Sequence, residues 1–343
     1  MNKLKLLFTI LMGLLIVLEA QRAYFVKSDM LNDIYSNVIF TRLAVETQPY
    51  TRQIEYGLEN GKSLENFYNM QRILSDVKRC SSYINSVYIL SEDRRLAYSF
   101  YDDEDVIAPS SVRIPVREDF FAVYEDGVNG YFLSVAIGGD GGASLGYLTL
   151  GISHAITDNA ISEFNRESRI QAAVIGALTF LAGAAAMIHC CRGGKRLVGN
   201  SAKTVSSAVC AGAAIDAAIT LLKFWTTIDG LIQQSVSRIT MTLQNDLDTV
   251  AAKGVSVGRI YDLNSWLFES GRRVPFIESL IYDRNYKISA VVSEEYMEEQ
   301  VLRYGMILVG IVCACVLVGA GMILFGFLAD RLKNKGRRYV DVE

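Results

Sequence analysis

YINSVYILSEDRRLAYS (Tyr83–Ser99) is the stretch on which the reading of the fold turns. Ser86–Leu90 and Leu96–Phe100 read as two β-strands, joined by the short charged turn Ser91-Glu92-Asp93-Arg94. Nearly two hundred residues later, FIESLIYDRNYKIS (Phe276–Ser289) repeats the phrase. Tyr83-Ile84-Asn85-Ser86-Val87 matches Phe276-Ile277-Glu278-Ser279-Leu280, and Leu96-Ala97-Tyr98-Ser99 is echoed by Ile288-Ser289-Ala290-Val291. The second copy stops early, because SEEYMEEQVLRYG from Ser293 returns to a helical pattern. A two-stranded hairpin is marginal alone. It must therefore pack on the first domain, a second chain or a partner.

On either side of these phrases the chain is strongly apolar. Of its 343 residues 51% are hydrophobic, with a mean hydropathy of +0.23, and the excess falls in four blocks: Leu6–Leu18, Ile170–Cys191, about Val205–Trp225, and Met306–Ala329. The second and fourth hold no charged residue. At about 1.5 Å per residue each is long enough to cross a hydrocarbon core of roughly 30 Å. The first block, after Lys3 and Lys5, reads as an uncleaved anchor or as a signal peptide. Glu19 and Leu18 make a poor cleavage site, which favours the anchor. The third block carries Asp216 near its middle, at a cost of about 2.5–3.5 kcal/mol on insertion scales. Topology still favours the crossing. Arg192, Lys195, Arg196 and Lys203 lie between blocks two and three, and Arg331, Lys333, Lys335, Arg337 and Arg338 follow block four. Basic residues mark the cytoplasmic side, so four crossings place both termini inside.

The expected architecture is an α+β membrane protein in the plasma membrane. Residues 1–26 form an anchor, 27–168 an exported domain, 169–191 a second span, 192–204 a basic cytoplasmic loop, 205–225 a third span, 226–303 a partial second exported segment, 304–329 the fourth span and 330–343 a basic tail. Residues 20–78 carry helical periodicity, with a second helix expected to begin near Ser63. Further strands are expected near Gly130–Ile137 and Ser144–Ile152 and in part of Val112–Val116, with a short helix near Glu118–Tyr124. Residues 20–168 hold 13 Lys/Arg against 21 Asp/Glu, a balance that repels nucleic acid. Cys80 alone lies outside the membrane zone, so no disulfide is expected in the exported parts. Two His and no CxxC or HExxH pattern indicate no metal site, and His154 and His189 read as structural. Nothing indicates a cofactor. Gly138–Gly142 reads as a hairpin turn rather than a phosphate loop, and Asp102–Asp105 as a solvated loop rather than a Ca²⁺ site.

A helix rising from the membrane, the "apolar-Ile-x-Ser-apolar" opening of SSYINSVYILSEDRRLAYS, and the closing GASLGYLTLGISHAI resemble Cache domains. These are PAS-like extracytoplasmic sensor modules of bacterial histidine kinases, chemoreceptors and membrane-anchored transcription regulators. The resemblance covers about residues 30–168, and 226–295 in part. It implies a helix-flanked sheet with a small-molecule pocket on one face, whose ligand shifts the membrane helices. Val116-Arg117-Glu118-Asp119-Phe120-Phe121 departs in spacing from the amino-acid-binding members, and no distant Tyr–Asp pair is evident, so amino-acid binding is not implied. Relatives continue into a HAMP segment and an output domain, whereas this sequence ends 14 residues after Ala329.

The candidate ligand residues are Tyr98, Arg113, Arg117, Phe121, Tyr124, Tyr131 and Tyr147, unless these aromatics simply fill a small core. Asp216 is either a functional intramembrane carboxylate or a group bonding a Ser or Thr across helices. Small residues four apart, at Ala172/Gly176, Ala208/Gly212 and Gly310/Ala314, suggest closely packed helices. No nucleophile–base pair or nucleotide loop points to an enzyme. The expectation is a non-enzymatic sensor or receptor-like subunit that binds a small ligand and signals through its helices, as a homo-oligomer or to a separate partner. The alternative is an accessory or scaffold subunit of a transporter or envelope complex.

Overall fold

Runs of Val, Ile, Leu and aromatic residues form the strands of the larger sheet, while Pro and Asn punctuate the helices that precede it. The computed structural model describes residues 30–101, 121–126, 130–138, 144–153, 155–192, 197–255, 263–283 and 287–340. Helix α1 (30–46) is followed by α2 (Gln48–Glu59) and α3 (Met70–Arg79), then β1 (Ile84–Ser91), β2 (Leu96–Tyr101), β3 (Phe121–Asp126), β4 (Gly130–Ile137) and β5 (Gly146–Ile152). Long helices α4 (Ala155–Arg192) and α5 (Leu197–Ala252) come next. The chain then passes through α6 (Leu263–Arg272), β6 (Ile277–Tyr282), β7 (Ile288–Val292) and α7 (Glu294–Val340). This is a mixed helix and antiparallel-sheet fold.

Two compact units divide it. One includes Asn32–Ala160 and Ile228–Met297, the other Ile161–Thr227 and Glu298–Glu343. In the first, α1 gives way to α2 at Thr47, two residues before Pro49, whose ring cannot continue the α1 hydrogen-bond ladder. The Thr47 hydroxyl donates to the Leu43 carbonyl at 2.9 Å and lies 3.1 Å from that of Ala44. The next helix does not begin at Ser63. A single 3₁₀ turn (Leu64–Asn66) comes first, and α3 starts only after Asn69, in left-handed conformation at φ 65°.

The sheet runs in the order β2-β1-β5-β4-β3, with every neighbouring pair antiparallel. Residues 121–124, expected to be helical, form β3, because they pair with Phe132–Val135 of β4. The expected strand at Val112–Val116 lies outside the described residues. Register separates two faces. Val87, Leu133, Leu148, Leu150 and Ile152 lie on the face toward the helices, where α3 packs on β1 and β2 and α2 on β4. Ser86, Tyr88, Leu90, Phe132, Ser134, Tyr147, Thr149 and Gly151 lie on the other.

The second phrase forms a separate two-stranded sheet, β6–β7. Its support comes from its own unit: α6 packs on β6, the Ile288 N–H donates to Gln244 Oε1 of α5 at 2.9 Å, and Arg52 of α2 lies 5.8 Å from the Trp266 ring centre in α6. Both phrases carry a register shift at Ile-x-Ser, between Ile84 and Ser86 and between Ile277 and Ser279. In both, an exit strand is bonded back to the residue before that Ile. Ser153 N–H donates to Tyr83 O and Ser293 N–H to Phe276 O, each at 3.0 Å. The structural counterpart of β7 is therefore β5, not the β2 segment Leu96–Ser99 that the sequence echo suggests.

Charged groups are buried in the helical layer of this unit. Glu46 Oε1 lies 3.6 Å from Arg42 Nε one turn away, and Arg238 of α5 also acts on the Glu46 carboxyl. Burial nonetheless outweighs both cations and raises its pKa. Tyr50 Oη accepts from the Cys80 thiol at 3.7 Å, and burial pushes both groups up, so Cys80 is held as the protonated thiol. Cys80, Cys210 and Cys313 form no disulfide among the described residues.

In the other unit, Ile170, Val174, Leu178, Leu181, Leu222, Met306, Val309 and Leu317 are exposed. Among the described residues one helix, Cys210–Ala252, is long and apolar enough to cross a membrane. Ile170–Cys191 and Met306–Ala329 lie within helices α4 and α7. The expected close approach at small residues is not met at two of its positions, since a Cβ at Gly176 or Gly310 would meet nothing within 4 Å.

Two outcomes follow. Arg94 closes the β1–β2 hairpin in left-handed conformation at φ 61°, so Arg94→Gly should raise stability by about 1 kcal/mol, as read by thermal melting. For Glu46 the raised folded pKa means that the folded state holds its proton longer than the unfolded chain. The contribution is complete below the ordinary value of about 4.3 and is lost as pH climbs through the raised one. Melting curves of Glu46→Gln and the wild type should therefore diverge over that window, with the wild type losing ground as pH rises.

Candidate functional site

The face of the five-stranded sheet turned away from the helices is the candidate site. Tyr88, Leu90 and Phe132 form a buried cluster, with Ala122 and Tyr147 packed against it. The Tyr88 and Phe132 rings are tilted by 55° with centres 6.2 Å apart. Around this apolar floor the polar groups are neutral hydroxyls. Ser134 Oγ and Thr149 Oγ1 share a buried hydrogen bond of 2.8 Å, and the Ser144 hydroxyl donates to Tyr147 Oη at 2.9 Å. Tyr88 is fully buried, and its hydroxyl has no hydrogen-bond partner among the described residues. Burial pushes its phenol pKa up, and the nearby Ser86 hydroxyl offsets part of that without reaching good hydrogen-bond geometry.

A glycine shapes the middle of this face. Ser86 pairs with Gly151, and a Cβ at Gly151 would collide with Ser86 Oγ and lie 3.5 Å from the Phe132 ring. Only the missing side chain leaves room for the serine hydroxyl beside the aromatic floor.

Strand parity divides the residues picked out in the sequence. Tyr124 pairs with Phe132 and Tyr147 with Ala136 and Leu90, so both belong to this face. Tyr98 pairs with Ile89, Phe121 with Val135 and Tyr131 with Ile152, which puts all three on the helix-packed face. There the Tyr98 hydroxyl accepts from the Phe67 N–H at 3.1 Å, and the Tyr131 ring lies 5.2 Å from that of Phe40. These three serve the core between sheet and helices. Arg113 and Arg117, the Asp102–Asp105 run, His154 and Gly139–Gly142 lie outside the described residues. Sequence reasoning missed Ser86, Tyr88, Ser134, Thr149 and Gly151. Their signal was available as polar and small residues at alternate positions in otherwise apolar strands. No group of three or more His, Cys, Asp or Glu able to hold a metal occurs among the described residues.

Asp216 belongs to the other unit. Its Oδ1 accepts from Gln171 Nε2 of α4 at 3.0 Å, a bond across helices.

Gly151→Ala forces Ser86 off its place and should cost about 1–3 kcal/mol in thermal stability as overpacking. Ser86→Ala introduced with it should restore most of that loss. Comparison with protein-family models, with curated proteins and with solved structures finds no match to this chain.

Proposed function

We propose that the chain is a non-enzymatic membrane sensor or receptor-like protein of the PAS-like, Cache type, with four membrane-spanning helices and both termini cytoplasmic. Its two exported segments fold together, and the hydroxyl-lined sheet face binds a small ligand. The observation that carries this reading is the way both sheets end. β5 and β7 are each bonded back to their opening strand and pass within three residues into long helices, α4 and α7. A change in the sheet would thus be passed directly to a helix leading to a span. The apolar residues that α4, α5 and α7 leave exposed support the membrane reading, since lipid is the solvent in which they cost nothing. The two phrases are read as a full and a truncated copy of one module.

An accessory or scaffold role has one observation in its favour. Ile281 and Val291 of the two-stranded sheet are 50% and 40% exposed, an apolar surface suited to protein contact.

The deciding experiment uses the full chain in lipid nanodiscs, because residues 27–168 alone would lose Trp266 beside Arg52 and Arg238 beside Glu46. Melting is followed against a broad panel of small metabolites. The sensor reading expects at least one compound to raise the melting temperature by several degrees, with the shift weakened in Tyr88→Phe. No shift across the panel, together with co-purification of a transporter, would favour the scaffold reading.

A further inference from the structure

The internal repeat reaches further back than the two phrases. Helices α3 and α6 are each 10 residues long, and four residues separate α3 from β1 and α6 from β6. β6 meets β7 as β1 meets β5, with the same shift at Ile-x-Ser. The first copy then has a strand that the second lacks. β2 pairs antiparallel with the other edge of β1, and α3 packs across both strands. In the second copy α6 packs on β6, and β6–β7 is a sheet of two strands.

The backbone of β6 is set for one strand more. Asp283 N–H donates to Lys287 O, whereas Ile288 N–H turns outward to Gln244 Oε1. Bonding direction alternates along a strand, so Leu280 and Tyr282 direct their N–H and C=O groups away from β7. Their counterparts in β1, Val87 and Ile89, are the residues opposite Phe100 and Tyr98 of β2. Burial tells the same story. The first and fourth residues of α3, Met70 and Ile73, are buried, while those of α6, Leu263 and Trp266, are only half-buried. The edge itself, Ile277–Tyr282, carries neither Pro nor Lys, the residues that commonly protect an open strand. A second copy of β6 would bring its own α6 onto the same face of the joined sheet, where the first α6 already lies. A lone strand, like β2, brings no such helix. We propose that the open edge of β6 beside α6 docks an extended segment of a partner protein. The segment adds as an antiparallel strand in the place that β2 holds beside β1, with apolar side chains at alternate positions turned toward α6.

The chain supplies its own probe, a labelled synthetic peptide of residues Arg94–Tyr101, which is titrated into the full chain in detergent. Two N-methylated forms separate strand pairing from apolar adhesion. Methylation at Tyr98 and Phe100 removes the N–H groups that would face β6, and methylation at Ser99 and Tyr101 removes those that would face away. Saturable binding is expected, weakened on the order of tenfold or more by the first form and changed by no more than about twofold by the second. A benzophenone carried on the ring of Phe100 should cross-link to α6 or β6. No binding, equal weakening by both N-methylated forms, or cross-links confined to β1 would overturn the site. A dimer of the full chain that the peptide dissociates would assign the edge to a second copy and overturn the partner strand. None of these readouts involves a small ligand on the five-stranded sheet, so failure here and failure of the sensor reading are separable.

Discussion

The bond from the Ser153 N–H to the Tyr83 carbonyl sets where the chain leaves its sheet. β5 lies between β1 and β4, so it is the strand that every other part of the sheet must accommodate. Closing the residue after β5 onto the residue before β1 leaves α4 to begin two residues later. Ser293 and Phe276 make the same closure ahead of α7. The irregularity at Ile-x-Ser belongs to this arrangement. It lets Ile84 and Ser86 pair with the adjacent residues Ile152 and Gly151, so that one residue of β1 is left over. A bulge of this kind bends a strand and strengthens its local twist. Here it falls at the point where strand gives way to helix.

Much of the sheet was legible because β periodicity is local. Ser86–Leu90, Leu96–Phe100 and Gly130–Ile137 lie in strands and Ser144–Ile152 contains β5, each a short run rich in Val, Ile, Leu and aromatic residues bounded by turn residues. β3 was not legible. Phe121-Ala122-Val123-Tyr124 has no clear period, and its pairing with Phe132–Val135 is a tertiary fact. The helical extension of α5 beyond the third block is legible from spacing rather than hydropathy. Hydropathy falls after Trp225, which suggests an end, yet Ile228, Ile232, Val236, Ile239, Leu243 and Leu247 recur every three or four residues and are buried. That stripe is an amphipathic helix continuing beyond the apolar block.

The candidate site was less legible than the fold, and strand parity explains why. Tyr, Phe and Arg were sought by residue type, but type does not say which face of a strand a side chain occupies. Shifting a register by one residue moves it to the opposite face. The β1–β2 register shift between Ile89 and Leu90 defeats simple counting as well, because Tyr98 joins the helix side beside Ile89 while Leu96 pairs with Leu90. Tyr124 and Tyr147 lie on the face that carries Tyr88 and Phe132. The informative residues were instead the inconspicuous ones. Gly151 opposite Ser86, and Ser134 opposite Thr149, are out of character in strands that otherwise carry large apolar groups. Such substitutions cost core volume, which makes them worth asking about.

Asp216 shows the same limit over a longer distance. A carboxylate in an apolar block announces itself by its cost, but the sequence does not reveal what meets it. Gln171 is 45 positions away in another helix. A buried carboxylate is tolerated only where the fold brings it partners, and here an amide from a neighbouring helix meets Asp216 Oδ1. No local pattern in the apolar block encodes that meeting, because it depends on how α4 and α5 lie against each other rather than on the residues flanking Asp216.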